Sequence, residues 1–192
     1  MAITSKYLDW TRGQVEALIN VIGEKNAKKL IAGEVTVTIE ETALLDFVGT
    51  TTIPAATELF DVIRKFVVNT APDAELPIYS VEGIKILLNQ VYVYVESPAS
   101  ETRLCQQKLV GASLDRAIFK TLGRLGRLQV SLRTIYEFLK TASREHTYIF
   151  YSYGWAIYAC WSGGGDGGWN FGLDSVESGR SSGDVIVYRK VS

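Results

Sequence analysis

The string Gly163-Gly-Gly165-Asp-Gly-Gly168 satisfies the GxGxxG pattern by which dinucleotide-binding proteins approach a pyrophosphate. That chemistry needs a strand before the glycines and a helix after them, whose N-terminus meets the phosphates. Here Trp169-Asn-Phe-Gly-Leu173 follows, an aromatic, strand-like run, so the glycines read as a hairpin loop. His146 is the only histidine. A nucleophilic mechanism would pair it with an activated serine or cysteine and an orienting acid, and no GxSxG or Cys–His signature supplies them. It reads as a solvated or helix-capping residue just past a helical segment. Cys105 and Cys160 stand 55 positions apart with no CxxC pair. Two cysteines and one histidine do not readily assemble four zinc ligands. Isolated thiols fit a reducing compartment, each as a small buried hydrophobe, with a disulfide between them the less favoured alternative. No cofactor and no metal are expected.

Acid–base chemistry by paired carboxylates has four candidates, Asp166, Asp174, Glu177 and Asp184, all in or beside loops of the last 46 residues. Such residues more commonly build turns. Arg116, Lys120, Arg124 and Arg127 recur near helical spacing, a pattern able to meet nucleic-acid phosphates. Gly123 and Gly126 interrupt that helix, and the chain carries a net charge of −1, so a solvated basic face is the plainer reading and nucleic acid is not the expected partner. The charge is unevenly spread: residues 1–100 hold eight Lys/Arg against thirteen Asp/Glu, residues 101–144 nine against three, and residues 145–192 three against five.

The aromatic C-terminus is the most informative feature. Trp155, Ile157, Ala159 and Trp161 alternate with Ala156, Tyr158 and Cys160; before them, Tyr148 and Phe150 alternate with Ile149, Tyr151 and Tyr153. An antiparallel sheet usually solvates one face with polar residues, and this one is apolar on both. Either the N-terminal half covers the second face, or an exposed aromatic surface binds a partner. Under the second reading the contact residues are Tyr151, Tyr153, Trp155, Tyr158, Trp161 and Trp169.

Elements must position these residues. Thr11-Arg-Gly-Gln14 is a capping box, with Trp10 and Val15 as its hydrophobic staple and Gly23 as the stop of the helix that follows. A short helix over 24–32 ends at Gly33, and Val35, Val37 and Ile39 alternate as a strand. Thr50 to Ile53 and Phe66 to Val68 read as strands flanking a helical Ala55 to Arg64, and Lys85 to Glu96 reads as one long strand. Ser113 caps a helix ending at Leu122 before Gly123. A longer helix over Leu125 to Ala142 presents Leu128, Leu132, Ile135, Leu139 and Ala142 as one apolar stripe. Thr147–Tyr153 and Trp155–Trp161 flank a reversal at Gly154, with further strands at Gly168–Leu173 and Asp184–Lys190.

Pieces of the chain resemble a family of proteins of unknown function from uncultured bacteria with very reduced genomes. They are Trp10 to Ile19, Leu45 to Pro54, Phe66 to Thr70, Ser113 to Asp115 with Leu122-Gly123, Val130 to Leu132, and Ile135-Tyr136. The C-terminal module completes them: Ile149 to Tyr151, Trp161, Asp166 to Trp169, Asp174 to Val176, and Gly183 before Val185 to Arg189. The resemblance implies a shared architecture and no activity. In that family the last polar loop carries a tryptophan where this chain has Gly179-Arg-Ser181.

The expectation is an α+β fold in one compact domain over 1–192: mixed α/β over 1–100, helical over 101–144, and a four-stranded antiparallel meander over 145–192 packed on the long helix. No signal peptide or apolar run of ~20 residues is visible, so a soluble, cytoplasmic protein is expected, with no membrane contact. The expected function is a non-catalytic interaction module using the aromatic sheet face, its partner another protein or a second copy. The alternatives are a small-molecule enzyme using loop carboxylates and a nucleic-acid-associated protein using the basic 103–127 segment.

Overall fold

The structure, a computed structural model, describes residues 43–163 and 167–190, with Gly23 alone before them. The chain divides into two units between Thr42 and Ala43, and the fold is that of the second. The capping box at Thr11, the helix over 24–32, the Val35–Ile39 strand and Asp166 lie outside the described residues.

A seven-stranded mixed sheet dominates the unit. In chain order its strands are β1 (Leu45–Ile53), β3 (Ile78–Ser80), β5 (Thr102–Leu109), β7 (Tyr148–Ser152), β8 (Trp155–Ser162), β9 (Gly168–Ser175) and β11 (Val185–Arg189). Two short pairs stand apart, β2 (Phe60–Asp61) with β4 (Val95–Glu96) and β6 (Ser113–Leu114) with β10 (Gly179–Arg180). Five short helices accompany them: α1 (Val62–Lys65), α2 (Glu82–Val91), α3 (Asp115–Leu122), α4 (Leu125–Leu128) and α5 (Leu132–Leu139). The spatial order of the large sheet is β1-β5-β11-β7-β8-β9-β3. Neighbours are antiparallel except β11 beside β7 and β9 beside β3, which run parallel.

This corrects the expected fold class. The fold is mostly sheet, no long helix lies on a four-stranded meander, and residues 102–109 of the expected helical region are a strand. Only β7, β8 and β9 form a meander. The fourth expected strand, β11, skips back to lie between β5 and β7, so its partners come from both halves of the unit.

The expected Leu125–Ala142 helix is two helices. Gln129 is extended (φ −64°, ψ 141°), and Ser131 caps α5 by accepting the Thr134 N–H. The Val130 N–H donates to the Tyr151 carbonyl at 2.9 Å, so the chain passes the end of β7 between the helices. Leu128 therefore packs with Ile118, Ile149, Tyr151, Ala156 and Ile186, while Leu132, Ile135 and Leu139 join Tyr148, Phe150, Ile157 and Val187 on the opposite face. One periodic stripe serves two layers because backbone hydrogen bonding to the sheet end outweighs the helix propensity of Gln129 to Ser131.

Lys85 to Glu96 is likewise mostly helix. Ile84, Leu87 and Leu88 recur at helical spacing and are buried, and Tyr92 ends α2 in the left-handed conformation (φ 53°). Packing on β9 outweighs the β propensity of Val91 and Tyr92. That packing requires glycine at the contact. A Cβ on Gly83 would overlap the Gly172 backbone, and one on Gly172 would overlap the Tyr158 ring. Phe66 to Val68 is not a strand, and within the expected Ala55–Arg64 helix only α1 begins. Ser113 lies in β6; the N-cap of α3 is Leu114, which makes no side-chain cap bond.

The local expectations for β7 and β8 hold. Tyr153 (φ 50°) and Gly154 (φ 82°) form the two-residue reversal that pairs Ser152 with Trp155. Both faces of β7 are covered, and every residue of it is buried. α1, α2 and α5 cover one face; α3 and α4 pack on the other. Each large apolar side chain so enclosed contributes about 1.5–3 kcal/mol of transfer free energy.

Candidate functional site

The six aromatic residues expected to form a contact face are divided between core and rim. Tyr151 and Trp169 are buried; Tyr153, Trp155, Tyr158 and Trp161 are half-buried. Trp161 packs edge-on to Trp169 at 5.5 Å between ring centres, and the Arg144 guanidinium lies 4.0 Å over the Trp161 ring. The rings chiefly satisfy one another and the helices above them.

The glycine-rich string joins β8, which ends at Ser162, to β9, which starts at Gly168, so no helix opens behind it. His146 sits edge-on to Tyr148 at 6.0 Å. Cys105 and Cys160 are both free thiols, the first buried. Among the described residues no group of three His, Cys, Asp or Glu is placed to hold a metal ion, and no helix is long and apolar enough to cross a membrane.

Two of the loop carboxylates, Asp174 and Asp184, are engaged in holding loops. The Arg180 guanidinium donates to both oxygens of Asp115, Nε at 2.9 Å and Nη2 at 2.7 Å, and through Nη1 to Asp174 at 2.8 Å. The Tyr151 O–H donates to Asp115 at 2.6 Å. The side chains of Asp115 and Arg180 are 0% and 2% exposed. Burial raises the Tyr151 phenol well above its usual range, and Asp115 adds to the shift. Burial alone would lower the Arg180 guanidinium, but the hydrogen bonds and charge of Asp115, joined by Asp174 and Tyr151, together outweigh that and raise it. Asp184 accepts the Ser181 N–H at 2.8 Å, and burial raises its carboxyl. Glu177 is exposed. This cluster pins the β6–β10 pair over the sheet. Arg180 had read as part of a polar loop, and no local pattern links it to Asp115, 65 positions away.

Glu96 closes the N-terminus of α5. Its carboxylate accepts the Leu132 N–H at 2.8 Å, the Arg133 N–H at 2.7 Å and the Tyr153 O–H at 2.7 Å. A negative charge there satisfies orphan helix donors and the positive end of the dipole. Burial, then Glu96, raises the Tyr153 phenol. On the outer side of α5, Glu75 accepts from Lys65 at 2.6 Å and Lys140 at 2.9 Å, which pulls its carboxyl down to about 2.

The four expected basic residues, Arg116, Lys120, Arg124 and Arg127, are all exposed on or beside α3 and α4. Arg127 also lines a cleft of about 420 Å³ with Arg189 and Lys190, beside the buried Cys105 and the half-buried Tyr188. Burial, helped by the neighbouring thiol, pushes the Tyr188 phenol up to about 12.

The least protected apolar surface is elsewhere. Among the described residues β1 pairs only with β5, leaving the other side of this nine-residue strand as a sheet edge. Phe47 is 66% exposed and Val48 47%. Between Asp46 and the end of the strand there is no charged residue and no proline, although natural edges are commonly blunted by both. Thr50-Thr-Thr52 had read as a strand; its edge position depends on which strands pair with it and is not visible in the string. Comparison with known proteins adds nothing to these observations: no family model, no curated protein and no solved structure matches the chain.

Proposed function

We propose that this chain is a non-catalytic interaction module that joins a second copy of itself edge to edge through β1. The carrying observation is the nearly uncharged side of β1, unpaired among the described residues, with Phe47 and Val48 exposed. Two copies related by a two-fold axis through Thr51 would pair antiparallel over Gly49 to Ile53, the regular stretch beyond the bulge at Val48. Thr50 then faces Thr52 of the other copy, and Thr51 faces itself, cross-strand pairs that support one another. No like charges meet in that register. The aromatic sheet face has the lesser part, because two of its six rings are core and the rest have only an edge in solvent.

Size-exclusion chromatography with light scattering tests this. The wild type is expected to run as a dimer, and T50K/T52K, which sets ammonium groups opposite one another, as a monomer with unchanged circular dichroism. A monomeric wild type, or a dimer that persists in T50K/T52K, overturns it. Dissociation by Trp161→Ala with T50K/T52K still dimeric would move the contact to the aromatic face.

A second reading rests on Arg116, Lys120, Arg124 and Arg127 being exposed together on one layer. It predicts retention on immobilised RNA or DNA that weakens steeply with salt. Flow-through at low salt removes it.

A further inference from the structure

Arg133 is a buried cation without a counter-ion. The residue is 7% exposed, yet among the described residues it forms no salt bridge, and its Nη1 has no hydrogen-bond partner. Its position is nonetheless held firmly. Its backbone N–H donates to Glu96, its Nη2 donates to the Glu58 carbonyl at 2.6 Å, and the guanidinium lies 5.3 Å over the Phe60 ring. Buried charges are normally paired, and a donor left unmade is a standing cost.

Arg133 lines a cleft of about 410 Å³ whose walls include Pro54, Ala55, Ala56, Leu59 and Phe60. Lys65, Glu58 and Glu137 also line it. The Lys65 ammonium is already paired with Glu75 at 2.6 Å. One guanidinium therefore remains for an incoming anion, with two carboxylate-bearing residues nearby to oppose a second negative charge. We infer that this cleft binds a small monocarboxylate with an apolar tail, its carboxylate drawn to the Arg133 guanidinium and its tail along Ala55, Leu59 and Phe60. The fixed guanidinium fork matches carboxylate geometry, and its prior anchoring lowers the ordering cost of binding.

The test uses hexanoate as probe, with hexanol and inorganic phosphate as controls, on the full chain. Titration calorimetry and NMR should show saturable hexanoate binding with shifts at Phe60 and the Arg133 side chain, while hexanol and phosphate bind at least tenfold more weakly. Arg133→Gln should abolish binding. Ala55→Trp, at an exposed position of the cleft wall, should block binding while Arg133 and its contacts remain, so the test survives if Arg133→Gln does not fold. Hexanoate binding no tighter than hexanol or phosphate overturns the inference. So does hexanoate binding retained in Arg133→Gln or Ala55→Trp, and so does no binding at all.

Discussion

Replacing Arg180 with methionine removes the one cation that the described residues place in the buried cluster beneath β10. Three charge-assisted hydrogen bonds to carboxylates disappear, two to Asp115 and one to Asp174. The consequences differ at the two carboxylates. Asp174 has a side chain 40% exposed and regains water, whereas Asp115 is 0% exposed and keeps only the Tyr151 O–H at 2.6 Å. Breaking a buried pair by removing one partner costs about 3–5 kcal/mol. Breaking a half-exposed pair costs up to about 1 kcal/mol. Arg180→Met should therefore lose about 3–5 kcal/mol in urea unfolding followed by circular dichroism. At roughly 2–4 °C per kcal/mol for a chain of this size, Tm falls by roughly 6–20 °C. Asp174→Ala should lose less than about 1 kcal/mol. The double variant Asp115→Leu/Arg180→Met, with neither charge left stranded, should be more stable than either single change, a non-additivity of about 2 kcal/mol or more. A loss below about 1 kcal/mol in Arg180→Met, or additive losses in the cycle, would refute the claim that this pair holds the β6–β10 layer in place.

Gly83→Ala forces α2 away from β9, because the new methyl meets Gly172 backbone rather than a movable side chain; a loss of about 1–3 kcal/mol is expected by thermal unfolding. Glu96→Ala strands two α5 N–H groups and the Tyr153 O–H together, at a cost of about 3 kcal/mol or more. In the same variant the Tyr153 phenol, no longer raised by Glu96, should ionise at lower pH in ultraviolet titration. Glu75 has a folded carboxyl pKa of about 2 against an ordinary 4.5, so its contribution is complete above about 4.5 and is lost as pH falls toward 2. Carbon NMR should place its midpoint near 2, and Glu75→Gln should flatten the acid limb of the stability curve, modestly because the group is 47% exposed.

Much of the local structure was legible in the residues. The alternation of Tyr148 to Tyr151 and Ala156 to Ala159 assigns each side chain to a face because a strand repeats every two residues, whatever it pairs with. Gly123 ends α3 as read, since a positive φ there (113°) suits glycine. Apolarity on both faces of β7 left open whether the second face is covered or exposed to a partner, and packed layers lie on both. The Arg133 cleft could not have been read, because its parts come from the loop after β1, from β2 and α1, and from α5.

What the sequence by itself determined was therefore period and punctuation: which residues share a face and where the chain reverses. Tertiary structure alone decided that Leu128 and Leu132 serve opposite layers, that β11 runs parallel to β7, that Asp115 meets Arg180, and that β1 is an edge. Periodicity and turn preferences act within a few bonds and leave a trace in the string. Pairings across tens of residues are selected by the free energy of the whole packed arrangement, in which a buried carboxylate or an open strand edge acquires its meaning only from neighbours brought in from elsewhere.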